Sequence, residues 1–386
     1  MSRRIIQVNE KVPFLTALPL SFQHLFAMFG ASVLVPFLFN NAAGAQVIDP
    51  SLVLLMNGIG TLIYLFLCQG KAPAFLGSSF AFIAPAISII TSTADVQANF
   101  SKVLGGFILS GLIFSLVAIL IGKVGTKWLD VVLPPAAMGP IVALIGLELG
   151  STAVGMAGLY PTEGVYDTKA IIVSLFTLAV VILASILFRG FFSIIPVLFA
   201  VIAGYVLSAA IGYVDFTGIK EASFITLPNV VFPTFDFTAM LIIAPAALVV
   251  ISEHIGHLFV TGNIVGKDLI KDPGLHRSLL GDGLSTMLSG FTGSVPTTTY
   301  GENMGVMAIT KVYSVWVIGG AAVISIILAF FGNLSAVISS IPVPVMGGIC
   351  ILLFGVIAAS GIRMLVEAKV DYSQSKNLIL TAVIFI

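Results

Sequence analysis

The chain has 386 residues, 17 basic and 17 acidic side chains, and a formal net charge of zero. Only 9% of residues are charged while 58% are hydrophobic, and the mean hydropathy is +1.14. This composition excludes a soluble enzyme built on one large core and argues against a nucleic-acid or acidic partner. Apolar runs near helix-spanning length recur along all positions, which predicts an all-α polytopic membrane protein.

In chain order, Met1 to Lys11 is polar and basic, and the first apolar stretch, Leu15 to Phe39, is too long for a signal-peptide core. Breaks at Gly, Pro and charge then separate spans near 15–39, 52–69, 74–92, 103–122, 130–149, 169–188 and 191–212. A second series follows at 238–260, 276–291, 296–311, 314–332, 337–361 and 377 onward. Each is a candidate crossing of ~20 residues. Cys68 and Cys350 both sit in apolar stretches and suggest neither a disulfide framework nor a metal site. With the N-terminus in the cytoplasm, alternate loops put all but three of the 17 basic residues inside. Only Lys102, Lys169 and Lys220 fall outside, as the positive-inside rule requires. The last span has run for about nine residues at Ile386, short of the ~20 that cross a bilayer, so at least one further helix is expected in the natural protein.

Three local echoes relate the two halves. Gln23-His24-Leu25 in the first span resembles Glu253-His254-Ile255 in the eighth. Ser78-Ser79-Phe80-Ala81 in the third resembles Thr298-Thr299-Tyr300-Gly301 in the tenth. The run from Pro134 to Ile141 in the fifth resembles Pro342 to Ile349 in the twelfth. Spans 1, 3 and 5 therefore pair with 8, 10 and 12, an odd offset that inverts the second half and predicts a seven-plus-seven repeat of fourteen helices. Spans 3 and 10 also open on helix-breaking or β-tolerant residues, Pro73, Gly77, Ser78 and Ser79 in one and Pro296 to Thr299 in the other. Each reads as a short extended piece followed by a half-helix. The two extended pieces are expected to pair, which would aim both half-helix N-termini at one ligand.

Ionisable groups at membrane depth are costly and mark substrate or ion paths. Glu302 follows the second break, and Glu253 lies mid-way along an apolar span with His254 and His257 beside it. The expected constellation has backbone donors near Phe80 and Gly301, carboxylates at Glu253 and Glu302, imidazole at His257, and rings at Phe80 and Tyr300. Carboxylates accept from N–H groups and backbone amides donate to carbonyl oxygens, so a planar pyrimidine or purine base fits. An inorganic anion fits badly beside two carboxylates, and a sugar lacks further polar side chains. His24 and Gln23 read as polar glue between helices. Asp282 and His276 read as lying near a loop or helix end and receive no role. No nucleophile motif or metal cluster points to an enzyme, and no cofactor is expected.

The run Glu302-Asn303-Met-Gly305 to Thr310-Lys311 resembles the signature of the nucleobase–ascorbate transporter family. The stretch from Leu20 to Gly30, the Gly77-Ser-Ser-Phe80-Ala-Phe block and Glu253-His-Ile-Gly-His257 are similar to its bacterial uracil permease branch. The resemblance implies a proton-coupled uracil importer of the cytoplasmic membrane, working by alternating access and generally dimeric. It divides the chain into a core domain at 14–122 and 237–332 and a gate domain at 128–212 and 336–386. It implies uracil contacts from Glu253, Glu302, Phe80 and Gly301, with Ala31, Ser79, His257 and Tyr300 close by. Proton coupling would fall to Glu253, His257 or Glu302. Phe354 stands in the gate domain where relatives can carry Tyr. A permease for xanthine or urate on the same scaffold, and an anion transporter of the same fold, are the alternatives.

Overall fold

The computed structural model describes residues 5–161, 164–190 and 192–385. Helix α1, Phe14–Ala43, ends where Gly44 turns left-handed at φ +62°. Next come α2, Pro50–Leu67, capped by Asp49, and strand β1, Leu76–Ser78, which leads through a 3-10 turn at Phe80–Phe82 into α3, Ile83–Ile90. Then follow α4, Val96–Val124, α5, Pro135–Met156, α6, Thr168–Leu187, and α7, Pro196–Ala210. The second series is α8, Phe237–Val265, α9, Leu275–Thr292, β2, Thr297–Thr299, with α10, Gly301–Thr310, and α11, Val315–Leu328. It closes with α12, Val343–Glu367, and α13, Ser375–Phe385.

Every predicted span carries a helix or a strand followed by a half-helix. Short helices at Leu129–Val132, Thr217–Glu221 and Gly332–Ser339 were not expected from hydropathy. The seventh element starts at Pro196 rather than near 191, because a residue with fixed φ and no N–H belongs at a helix start. Among the described residues seven helices, α1, α2, α4, α5, α6, α8 and α12, are long and apolar enough to cross a membrane. The chain is a multi-pass membrane protein with the inverted-repeat organisation expected above. Helix α9 spans 18 residues yet is far more polar, and its Ser278, Asp282, Ser285, Thr286 and Ser289 are all buried. The polar face is buried in protein, while Leu284 and Phe291 are the apolar residues it leaves exposed.

The chain forms two compact units. The first comprises Met1–Val124, Arg189–Ile195 and Phe216–Ser340, and the second Gly125–Phe188, Pro196–Asp215 and Ile341–Ile386. Within the first, α2 crosses α9 so closely that a Cβ on Gly60 would overlap Ser285 Oγ. Helix α4 approaches α9 at Gly111, where a Cβ would lie 2.6 Å from the Gly283 carbonyl oxygen. The same unit takes in the start of the chain. Ile6 bridges Val312 in parallel, Tyr313 N–H donates to Ile6 O at 2.9 Å, and Val315 N–H to Val8 O at 3.0 Å. Those bonds begin just after α10, where Lys311 adopts φ +61° and ends the helix.

Within the second unit α5 packs on α12 through glycines. A Cβ on Gly361 would collide with Ala143 N and Gly139 O, and one on Gly146 with Phe354 O. Small residues let membrane helices approach at backbone distance, which maximises packing where no hydrophobic effect operates between helices. Gly146→Val and Gly361→Val are therefore expected to lower stability by about 1–3 kcal/mol or more through overpacking. Melting of the detergent-solubilised protein is the measurement. Gly150→Ala, where a Cβ meets nothing within 4 Å, should not lower the melting temperature.

Candidate functional site

The candidate site is built on the pairing of two three-residue strands from opposite halves of the first unit. β1 and β2 run antiparallel in the register Leu76↔Thr299, Gly77↔Thr298 and Ser78↔Thr297. The ladder extends one bond beyond each strand, from Ser79 N–H to Pro296 O at 2.9 Å and from Tyr300 N–H to Phe75 O at 3.0 Å. Both strands are buried throughout. So short a ladder is not stable alone, and side chains from α2 and α9 hold it. Thr61 Oγ1 on α2 accepts Leu76 N–H at 2.9 Å, and Thr286 Oγ1 on α9 accepts Thr297 N–H at 3.1 Å. Each threonine grips the first residue of its strand, a symmetry the local sequence echoes do not reveal.

Each strand hands over to a helical segment. Ser79 and Tyr300 are the extended residues just outside the turn at Phe80 and the helix at Gly301. The first N–H groups of a helix have no intrahelical acceptor, and no hydrogen bond among the described residues takes those of Phe80 and Gly301. Ser79 Oγ and Thr298 Oγ1 are also buried without a partner. The predicted pair of donor-bearing termini is thus present.

Glu253 and His257 lie one turn apart on α8, with His257 Nε2 4.0 Å from Glu253 Oε1. His257 Nδ1 contacts the Thr299 carbonyl oxygen at 2.7 Å and Thr299 Oγ1 at 3.0 Å. A carbonyl only accepts, so Nδ1 carries the hydrogen and Nε2 is the atom left to face the glutamate. A Cβ built on Gly301 would lie 3.9 Å from that Nε2, which puts the start of α10 beside the imidazole. Glu302 occupies the first turn of α10, where the helix dipole favours a negative charge, and it is exposed. The side chain of Glu253 is 39% exposed and that of His257 22%, so these groups are open to a ligand.

The structure brings Glu253, His257, Gly301 and Glu302 together and joins them to Ser79 and Phe80 through the strand pair. Tyr300 is turned into the protein. Its ring covers Gly77, where any Cβ would overlap it, and its hydroxyl donates to Ser78 O at 3.0 Å. Ala31 is buried on α1, and its neighbour Ser32 is the residue that reaches Tyr300, at 3.3 Å. His24 behaves as glue: Asn303 Nδ2 donates to His24 O at 3.0 Å and lies 3.1 Å from His24 Nδ1. The signature asparagine thereby ties α10 to α1. Phe354 lies in α12 of the second unit.

Asp282 departs from its sequence reading. It lies in the interior of α9, fully buried, and not near a loop. Its Oδ2 accepts from His254 Nδ1 at 2.9 Å and its Oδ1 accepts from Thr297 Oγ1 at 3.0 Å. His254 Nε2 lies 2.7 Å from Ser278 Oγ, itself 2.9 Å from Tyr64 Oη. Asp282 therefore braces β2 against α8. The available signal was an acidic residue within Gly281-Asp282-Gly283, a helix segment too polar for lipid and too apolar for water.

The sequence profile of the Permease family, Xan_ur_permease, matches residues 15–386. A uracil permease of Paenibacillus larvae is 57% identical over 390 residues, covering 100% of this chain and 90% of the relative. A uracil permease of Escherichia coli K12 is 59% identical over 387 residues, covering 100% and 87%. Among solved structures, the transmembrane domain of the cyanobacterial bicarbonate transporter BicA superposes with a TM-score of 0.67 at 15% identity, over 98% of this chain and 97% of that one. That likeness concerns the fold alone.

Removing the brace should cost both stability and ligand affinity. Asp282→Leu would leave His254 Nδ1 without its acceptor in the interior, at about 1–3 kcal/mol, while Thr297 Oγ1 keeps Ser285 Oγ at 2.9 Å. The expected outcome is a lower melting temperature, checked by thermal denaturation in detergent. His257→Ala removes a bond to the β2 carbonyl from a more accessible position and should melt closer to wild type.

Proposed function

The chain belongs to the Permease family, and from that membership we propose that it imports uracil together with protons across the cytoplasmic membrane. The observation that carries this reading is the meeting of two acceptor carboxylates with two helix N-termini. Uracil presents N–H and C=O groups in alternation around a flat ring. Glu253 and Glu302 would accept from its N–H groups, while the free N–H groups at Phe80 and Gly301 would donate to its carbonyl oxygens. The ring of Phe80, half-exposed at the start of its turn, would cover one face of the base. Among the relatives, proteins described as uracil permeases at 57% and 59% identity support this substrate over xanthine or urate. The bicarbonate transporter shares only the fold, and two carboxylates beside the termini disfavour an anion. The Permease profile over residues 15–386 and the relatives described as uracil permeases favour a transporter over an enzyme.

Coupling is assigned to the group of Glu253, His257 and Glu302. His257 Nε2 facing Glu253 at 4.0 Å supplies a route for a proton between imidazole and carboxylate. In the cycle we propose, the first unit is the core that carries the base and the second is the gate, with the N-terminus in the cytoplasm and a homodimer as the working assembly. The basic residues gathered on one set of loops support that orientation.

The test is uptake of labelled uracil by cells that lack their own uracil permease and express the full chain, with and without a protonophore. Uptake that collapses with the proton gradient is expected. Absence of uptake from protein verified in the membrane would sink the uracil assignment. Glu253→Gln and Glu302→Gln each replace a charged acceptor, whose hydrogen bonds are worth about 1.5–3 kcal/mol, so uracil binding should weaken roughly 10- to 150-fold. Equilibrium binding of labelled uracil to the purified variants checks this.

A further inference from the structure

We propose that Asn57 is a positioning residue for the substrate site, acting through a one-way hydrogen-bond chain that ends on the backbone of β1. The inference rests on the uracil-binding reading above. Asn57 lies on α2, is fully buried, and belongs to none of the groups assigned to the ligand. Its Nδ2 donates to Ser32 Oγ at 3.1 Å. Ser32 Oγ donates to Tyr300 Oη at 3.3 Å, and Tyr300 donates to Ser78 O at 3.0 Å. An amide nitrogen only donates and a carbonyl only accepts, so every hydrogen in the chain points the same way. Each bond polarises the next. Ser78 Oγ returns a bond to Ser32 O at 3.2 Å, which closes a ring through α1, β1 and the residue that caps α10.

The last link is the informative one. Tyr300 immediately precedes Gly301, and Ser78 immediately precedes the pair Ser79-Phe80. The Tyr300–Ser78 bond therefore ties together the two residues that set where the donor-bearing termini stand. With the tyrosine ring seated on Gly77, where no side chain fits, this hydroxyl adds a side-chain tie to the backbone ladder that spaces the termini. Asn57 and Ser32 hold it.

The inverted repeat supplies an independent observation. On α2, Asn57 stands four residues before Thr61, which grips β1. On α9, Asp282 stands four residues before Thr286, which grips β2. Asn57 thus occupies the place in the first half that Asp282 occupies in the second. Asp282 works as an acceptor for His254 and Thr297. Asn57 works as a donor, and its Oδ1 has no partner among the described residues. A carboxylate at position 57 could not start the chain.

The test is a double-mutant cycle read by equilibrium binding of labelled uracil to purified protein. Asn57→Leu and Tyr300→Phe should each weaken binding about tenfold while the melting temperature stays within a few degrees of wild type. The double variant should bind no more weakly than the worse single, because both cut one chain. Asn57→Leu combined with Glu302→Gln should instead multiply the two losses. Wild-type affinity in Asn57→Leu, or losses that multiply with Tyr300→Phe, would overturn the proposal. Should Asn57→Leu fail to fold, Ser32→Ala takes its place with the same expectations. Wild-type protein that binds no uracil refutes the substrate assignment instead. The coupling is then read from melting temperatures in the same cycle, where independent shifts would overturn it.

Discussion

Everything at the candidate site hangs on a ladder of three residue pairs. A two-stranded sheet of this length has no stability of its own. Extended backbone at membrane depth also persists only when protein satisfies its polar groups. The structure meets both demands with neighbouring helices. Thr61 and Thr286 accept the first N–H of each strand, His257 donates to the Thr299 carbonyl, and Tyr300 donates to that of Ser78. The two halves share one small sheet, so neither completes the site without the other.

The braces differ in chemistry between the halves, although the fold repeats. Asp282 and His254 form a fully buried pair behind β2, while Asn57 and Ser32 form a neutral one behind β1. Breaking a buried pair that includes a carboxylate leaves a costly residue behind, whereas a neutral brace carries a smaller desolvation penalty. The half that also carries Glu302 is thus braced through a carboxylate that makes two bonds at once. A site that has to present a carboxylate next to a helix terminus benefits from such rigidity, because a ligand then meets groups already in place.

Much of the fold was legible from the chain because hydropathy is a long-range signal. Every span was found, and the breaks at Pro73–Ser79 and Pro296–Thr299 disclosed the strands. Glu253, His257 and Glu302 stood out because charge at membrane depth is rare. The second layer was not legible. Asn57, Thr61 and Thr286 are common residues in apolar helices, and only the approach of a strand in space gives them work. Tyr300 sits beside a break and reads as a ligand contact, but the absence of a side chain at Gly77 draws its ring inward. Asp282 was misplaced because the polar face of α9 is buried in protein, and a scale made for lipid-facing helices reads such a segment as an end.

The first residues of the chain have a consequence for how the protein is made. Ile6, Val8 and Glu10 bond to Val312, Tyr313, Val315 and Ser314, just past the left-handed turn that ends α10. Ile6 and Val8 are made long before these partners, so their bonds close only once α10 has followed. β1 waits almost as long for β2. Synthesis therefore makes the second unit's first helices before the strand pair of the first unit can close. A fusion placed ahead of Ile6 is attached to a segment that docks only after α10 has been made.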